Sequence, residues 1–223
     1  MHRREAGVTV AAVNWRALRW PLAVLAAAVL VCGTFLVVLA AGADGDDGPA
    51  VPDAASADAG FARDMVVHHQ QAVEMSLIVR DRTDDEDVRT LAYDIVNTQA
   101  NQRGMLLGWL DQWELPASSG GPPMAWMGHE MPFEARDGAL MPGMATDTQI
   151  RRLRAAEGEE AEVLYLRLMT AHHRGGVQMS QMAEPVVETR VVRRLAGTTL
   201  RGQQSEIKLM RDMLEERGGI VKP

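Results

Sequence analysis

Arg63-Asp-Met65-Val-Val-His68-His69-Gln-Gln-Ala-Val-Glu-Met75-Ser76 returns 104 residues later as Arg167-Leu-Met169-Thr-Ala-His172-His173-Arg-Gly-Gly-Val-Gln-Met179-Ser180. In each copy a Met stands three residues before a His-His pair, and a Met-Ser begins six residues after it. The register holds beyond the motif, since Leu91-Ala92 aligns with Leu195-Ala196, Gln99 with Gln203 and Leu110 with Leu214. A repeat of this kind constrains architecture more than any single residue does. It predicts two similar helical halves facing each other.

Working outward, Phe61, Met65, His68, Ala72, Met75 and Val79 step by fours and threes, which is one face of a helix starting near Ser56 or Asp58. After a turn at 81–87, Val88, Ala92, Ile95, Gln99, Gln102, Leu106 and Trp109 form a second stripe that ends before Pro116. A short helix capped by Thr146 or Asp147 should stop at Gly158, and a third long helix carries Tyr165, Met169, His172, Gly176 and Met179. Pro185 marks the expected start of a fourth, with Val192, Ala196, Thr199, Gln203, Glu206, Met210 and Met213 on its stripe. Four amphipathic helices in two pairs predict an all-α four-helix bundle over 58–217. Abundant Ala, Leu, Met, Arg, Glu and Gln agree with that class.

The flanks assign a compartment. Residues 20–43 carry no charge, long enough to cross a hydrocarbon core. Arginines precede this run in the arm 1–19, and Asp44, Asp46 and Asp47 follow it. The positive-inside rule then leaves the arm in the cytoplasm and the bundle outside, joined by a linker at 44–57. Ala41-Gly42-Ala43 also fits a signal-peptidase site, so the expected product is either membrane-anchored or secreted after Ala43. The lone Cys32 lies in the apolar run and forms no internal disulfide.

The net charge of −7 shows no basic patch, which sets nucleic acid aside as a partner. No Gly-x-Ser-x-Gly, P-loop, dinucleotide fingerprint or Cys-x-x-Cys is present, and Asp64 beside His68 has Leu168 as its counterpart, so no catalytic residue is assigned. The chemistry rests on Met65, His68, His69 and Met75 in one half, and Met169, His172, His173 and Met179 in the other. Carboxylate-bridged di-iron bundles use Glu-x-x-His at this spacing, and here the first position is Met. Thioether in place of carboxylate removes the hard anionic ligands and suits Cu(I) or Ag(I). Met is equally a common core filler, and a buried His is commonly a hydrogen bonder. Metal site and structural core both stand at this point.

Gln99, Gln102, Gln203 and Glu206 interrupt otherwise apolar stripes and are expected to support the histidines from behind, or to fix helix register. The segment 116–146 holds five prolines and five glycines, with Met124, Met127, His129, Met131, Met141 and Met144. It reads either as a second soft-metal site, with Trp126 over the cation, or as an apolar lid; it is also where a protein partner would meet the domain.

Phe61-Ala-Arg-Asp-Met-x-x-His-His, Met141-Pro-Gly-Met144 and Met169-x-x-His-His-x-x-x-Val-x-Met resemble the domain of unknown function 305 family over about residues 56–214. The resemblance implies an exported or anchored ferritin-like bundle, and some similar periplasmic proteins are associated with copper binding and resistance. Against the family pattern, Ala161-Glu162 replaces Phe-Asp, Gly175-Gly176 stands where Gly-Ala is usual, and Gln102-Arg103 replaces the Glu-Ile kept at Glu206-Ile207. The glycines are expected to admit a close helix, and the supporting residues to be lopsided. The sequence reading is therefore extracytoplasmic copper binding for sequestration or handover. A metal-free structural or interaction bundle is the alternative, and a copper-dependent redox enzyme the weaker one.

Overall fold

The computed structural model describes residues 51–128 and 133–219. The arm 1–19, the segment 20–43, the first part of the linker, and His129 and Met131 lie outside the described residues. Among the described residues the protein is all-helical, and no helix is long and apolar enough to cross a membrane. Five α-helices follow in order: α1 (Ala57–Arg80), α2 (Glu86–Gln112), α3 (Asp147–Ala155), α4 (Gly158–Ala183) and α5 (Arg190–Glu216). A 3-10 turn, Ala125–Met127, lies in the long loop between α2 and α3.

Each start has a local cause. Ser56 Oγ accepts the amide of Ala59 to cap α1, and Asp85 Oδ1 accepts that of Val88 to cap α2. Thr146 and Gln149 form a reciprocal capping box at α3. The fourth long helix begins at Arg190, five residues beyond the expected Pro185. Asp58 explains the delay. Its carboxylate accepts the amides of Glu188 and Thr189, both at 2.9 Å, and the Thr189 hydroxyl at 2.6 Å, so 185–189 is held as a turn.

Helices α1 and α2 form one hairpin, α4 and α5 the other, and α1 packs against α4. The first turn of α1 meets the end of α4, so the two run antiparallel, as the internal repeat demands. Asp58 and Glu162 are equivalent positions, and each reaches the inter-helix turn of the opposite half. Glu162 accepts from the Thr83 hydroxyl at 2.5 Å and from Arg217 Nε at 2.7 Å. One equivalence is broken with a visible consequence. The Ser76 hydroxyl pairs with Tyr165 at 2.9 Å, whereas the position corresponding to Tyr165 in the other half is Phe61. Phe61 has no hydroxyl, and the buried Ser180 Oγ is left without a partner.

The core is divided along its length. One apolar cluster takes Met75, Val79, Ile95, Leu153, Tyr165, Met169, Met210 and Leu214. The other takes Phe61, Met65, Leu106, Leu110, Met127, Met179, Val192 and Leu195. On every long helix a polar residue separates the two: His68 and His69 on α1, Gln99 on α2, His172 and His173 on α4, Thr199 and Gln203 on α5. All of these are buried. A polar belt at mid-height, between the two apolar clusters, is the structural frame of the candidate site.

Candidate metal centre

Antiparallel crossing of α1 and α4 brings the two His-His pairs together. The rings of His68 and His172 stack with centroids 3.8 Å apart and planes inclined by 35°. His69 and His173 flank them at 6.5 and 6.3 Å from their own neighbours. All four imidazoles have no exposed surface. Burial, with the neighbouring imidazoles adding to it, lowers the pKa of His68 to about 4 and of His69 to about 3, and takes His172 well below its ordinary value. These three rings are neutral at physiological pH, which is the form that ligates metals.

Hydrogen bonding occupies one edge of three rings. His172 Nε2 lies 3.0 Å from the backbone oxygen of His68, tying α4 to α1. His68 Nε2 lies 3.3 Å from the backbone oxygen of Pro142, and His173 Nε2 lies 2.6 Å from Glu206 Oε2. Nδ1 of all four histidines is buried without a partner, as is Nε2 of His69. The side-chain amides of Gln99 and Gln203 are unpaired too. A buried polar group without a partner costs about 1–3 kcal/mol, and native cores hold few of them. Here they are concentrated in one belt.

Of the four residues expected to support the imidazoles, Glu206 alone hydrogen bonds one. Gln102 stands beside His69 without completing a hydrogen bond, and its carbonyl accepts from Thr199 Oγ1 at 3.4 Å. Gln203 lies over Gly176, where a Cβ would come within 2.3 Å of its Oε1.

The methionines divide between the two apolar clusters. Met75 and Met169 lie on one side of the belt, Met65 and Met179 on the other. The described loop methionines join the second pair: Met124, Met127 and Met141 are buried in that cluster and Met144 packs against it, as does Met182 of α4. Thioethers from loop and bundle thus share one apolar cluster at one end of the domain. The loop is folded down onto the helices as a cover.

Three contacts hold that cover. Asp64 Oδ2 accepts the amide of Met124 at 2.7 Å and the indole N–H of Trp126 at 2.8 Å. Trp126 therefore lies over Gly60 and edge-on to Phe61, bonded to a carboxylate. Gln71 pairs with both backbone groups of Ala145, at 2.7 and 2.8 Å. Met141-Pro142-Gly143-Met144 is a β-turn closed by a 3.2 Å bond from Met144 N–H to Met141 O, with Gly143 at φ 79°. This turn seats on Gly175, where a Cβ would lie 1.9 Å from Pro142 O. The helix glycine expected to admit another helix instead admits the loop backbone. The same carbonyl of Pro142 then meets His68.

No group of three or more His, Cys, Asp or Glu side chains is placed to hold a metal ion among the described residues. That covers the four histidines as they are placed, as well as any hard, carboxylate-rich centre. The donors that the belt and its adjoining cluster do offer are imidazole nitrogens and thioethers, which fit a soft monovalent cation.

Comparison with known proteins follows the same outline. None of the curated proteins matches the chain. A DUF305 protein from Streptomyces coelicolor, described as a candidate secreted protein, is 57% identical, with 77% of this chain and 99% of that chain covered and a TM-score of 0.70. A DUF305 fragment from Deinococcus radiodurans is 28% identical over 72% of this chain and 96% of that one, at a TM-score of 0.59. CopM, solved in a Cu(II)-bound form, shares the fold at 23% identity, with 72% and 97% covered and a TM-score of 0.56. The model of the family described as Domain of unknown function (DUF305) matches residues 58–214, and the chain belongs to that family.

Proposed function

We propose that the domain binds copper as Cu(I), through the buried histidines and the thioethers beside them, and sequesters or hands over the ion outside the cytoplasm. The observation that carries this reading is the belt itself. Four imidazoles meet at one helix crossing, each with a ring nitrogen that no protein group occupies. Such nitrogens are lone-pair donors, and a soft cation accepts them where a hydrogen bond is missing. Cu(I)-bound and Ag-bound forms of CopM are known, but at 21% identity that likeness extends to the fold alone. The donor chemistry of this chain supports the metal.

The compartment rests on the uncharged segment 20–43 with arginines before it and aspartates after, and on the Streptomyces relative described as a candidate secreted protein. The reading holds whether that segment stays as an anchor or is removed after Ala43.

A second reading has its own observation. Nε2 of His68 and of His172 each face a backbone carbonyl, as expected of histidines that only pin a loop and a helix. Metal content after mild purification from copper-supplemented cells separates the two. On the copper reading, about one copper per chain is expected. Trace copper in the wild-type protein would leave a structural bundle.

A further inference from the structure

We infer that Glu206 is a positioning residue that holds His173 in the Nε2–H tautomer, and that Gln102 fails to do the same for His69, so the two halves present unequal imidazole donors. The inference concerns the same site as the copper reading, and only its affinity arm rests on that reading.

The assignment follows from what each partner can do. Carbonyl oxygens accept and never donate, so His68 Nε2 at 3.3 Å from Pro142 O and His172 Nε2 at 3.0 Å from His68 O must carry the protons. Glu206 Oε2, 2.6 Å from His173 Nε2, imposes the same choice through a carboxylate. A proton placed on His173 Nδ1 instead would find no acceptor inside the bundle. Nδ1 is then the lone-pair nitrogen in three of the four rings. His69 differs, because neither of its nitrogens completes a hydrogen bond and the polar side chain beside it is the neutral amide of Gln102, which does not impose one tautomer as a carboxylate does.

The difference traces to one substitution across the internal repeat. Positions 102 and 206 are equivalent, as are 69 and 173. Glu206 keeps a carboxylate that reaches solvent with 24% of its side chain exposed while gripping a fully buried ring. Gln102 turns its carbonyl to Thr199 instead. A carboxylate on the far nitrogen of a ligating imidazole raises its basicity and fixes its orientation, and losing such a partner typically weakens metal binding by about 10- to 100-fold.

The test uses long-range proton–nitrogen NMR on the metal-free, nitrogen-15-labelled protein, comparing wild type with Glu206→Gln and Gln102→Glu. His173 is expected as a single Nε2–H tautomer in wild type and as a mixture in Glu206→Gln, whose amide no longer discriminates. His69 is expected as a mixture in wild type and as one tautomer in Gln102→Glu. His68 and His172, held by backbone, should keep their signals in all three and report an intact bundle. With Cu(I), Glu206→Gln should bind about 10-fold more weakly and Gln102→Glu more tightly by a similar factor. An Nδ1–H tautomer at His173 in wild type, or an unchanged His173 in Glu206→Gln, overturns the inference. The NMR result with no Cu(I) binding in any variant keeps the positioning role and removes the copper reading.

Discussion

Acidifying the metal-free domain from about pH 7.5 to about pH 5 is expected to lower its folding stability by about 4 kcal/mol through His68 and His69 alone. The folded-state pKa values, about 4 and about 3, lie below the ordinary 6.5 because burial excludes the charged ring. Between those limits the unfolded chain binds more protons than the folded one. Stability therefore falls as the pH drops through 6.5 and keeps falling until the folded values are reached. At pH 5 each ring contributes a loss of about 2 kcal/mol, and His172 acts in the same direction. Asp64 opposes it, since burial raises its carboxyl pKa and favours the protonated form in the fold. Against a typical domain stability of about 5–15 kcal/mol the loss is large. Urea unfolding at the two pH values reads it as a lower midpoint at constant slope. A His68→Gln/His69→Gln variant should show a much flatter dependence, and an unchanged wild-type midpoint would contradict the neutral buried belt.

Replacing Gly175 by alanine is expected to destabilise the domain by about 2 kcal/mol, against the usual helix gain of about 1 kcal/mol for that exchange. The new Cβ would fall 1.9 Å from the oxygen and 2.6 Å from the carbon of Pro142. Those are backbone atoms of a closed turn, and Gly143 behind them already packs against α4, where its own Cβ would come within 2.4 Å of Ala171 O. The turn must lift. It would take with it the carbonyl that His68 uses and the burial of Met141. Gly104, on an open face of α2, is the control, because a Cβ there meets nothing within 4 Å and alanine should stabilise. Denaturant midpoints decide between the two; a stabilised Gly175→Ala would show that the Met-Pro-Gly-Met turn does not depend on α4.

The helical class and the two helix pairs were legible because each depends on periodicity and on the repeat. Apolar residues at spacings of three and four define faces, and a repeat in which α1 and α4 correspond brings equivalent positions to one crossing. What escaped the sequence is contact made by backbone. Pro142 contributes an oxygen and Gly175 contributes an absence, and neither has a side-chain signature. The Gly-Gly pair was visible as a helix weakness, but whether a helix, a loop or a side chain fills the gap depends on tertiary placement. Asp58 gives the same lesson at the start of α5. Proline is compatible with a first helical turn, yet a carboxylate from a distant helix holds three donors and keeps 185–189 out of the helix. The departure at Gln102 was readable as a substitution across the repeat. Its effect, a carbonyl turned to Thr199 and an unpaired His69, needed the packed structure.

The measurement that most directly tests copper binding by the histidine belt is an anaerobic Cu(I) titration of residues 44–223 against a competing chelator, beside a His68/His69/His172/His173→Ala variant matched for helicity. Tight binding in wild type, weakened by about 100-fold or more in the variant, is the predicted result, since losing even a supporting partner costs about 10- to 100-fold. Tight binding retained in the variant would place the ion among the loop and bundle thioethers alone. Binding in neither protein would contradict the copper reading and leave the belt as a structural hydrogen-bonding layer.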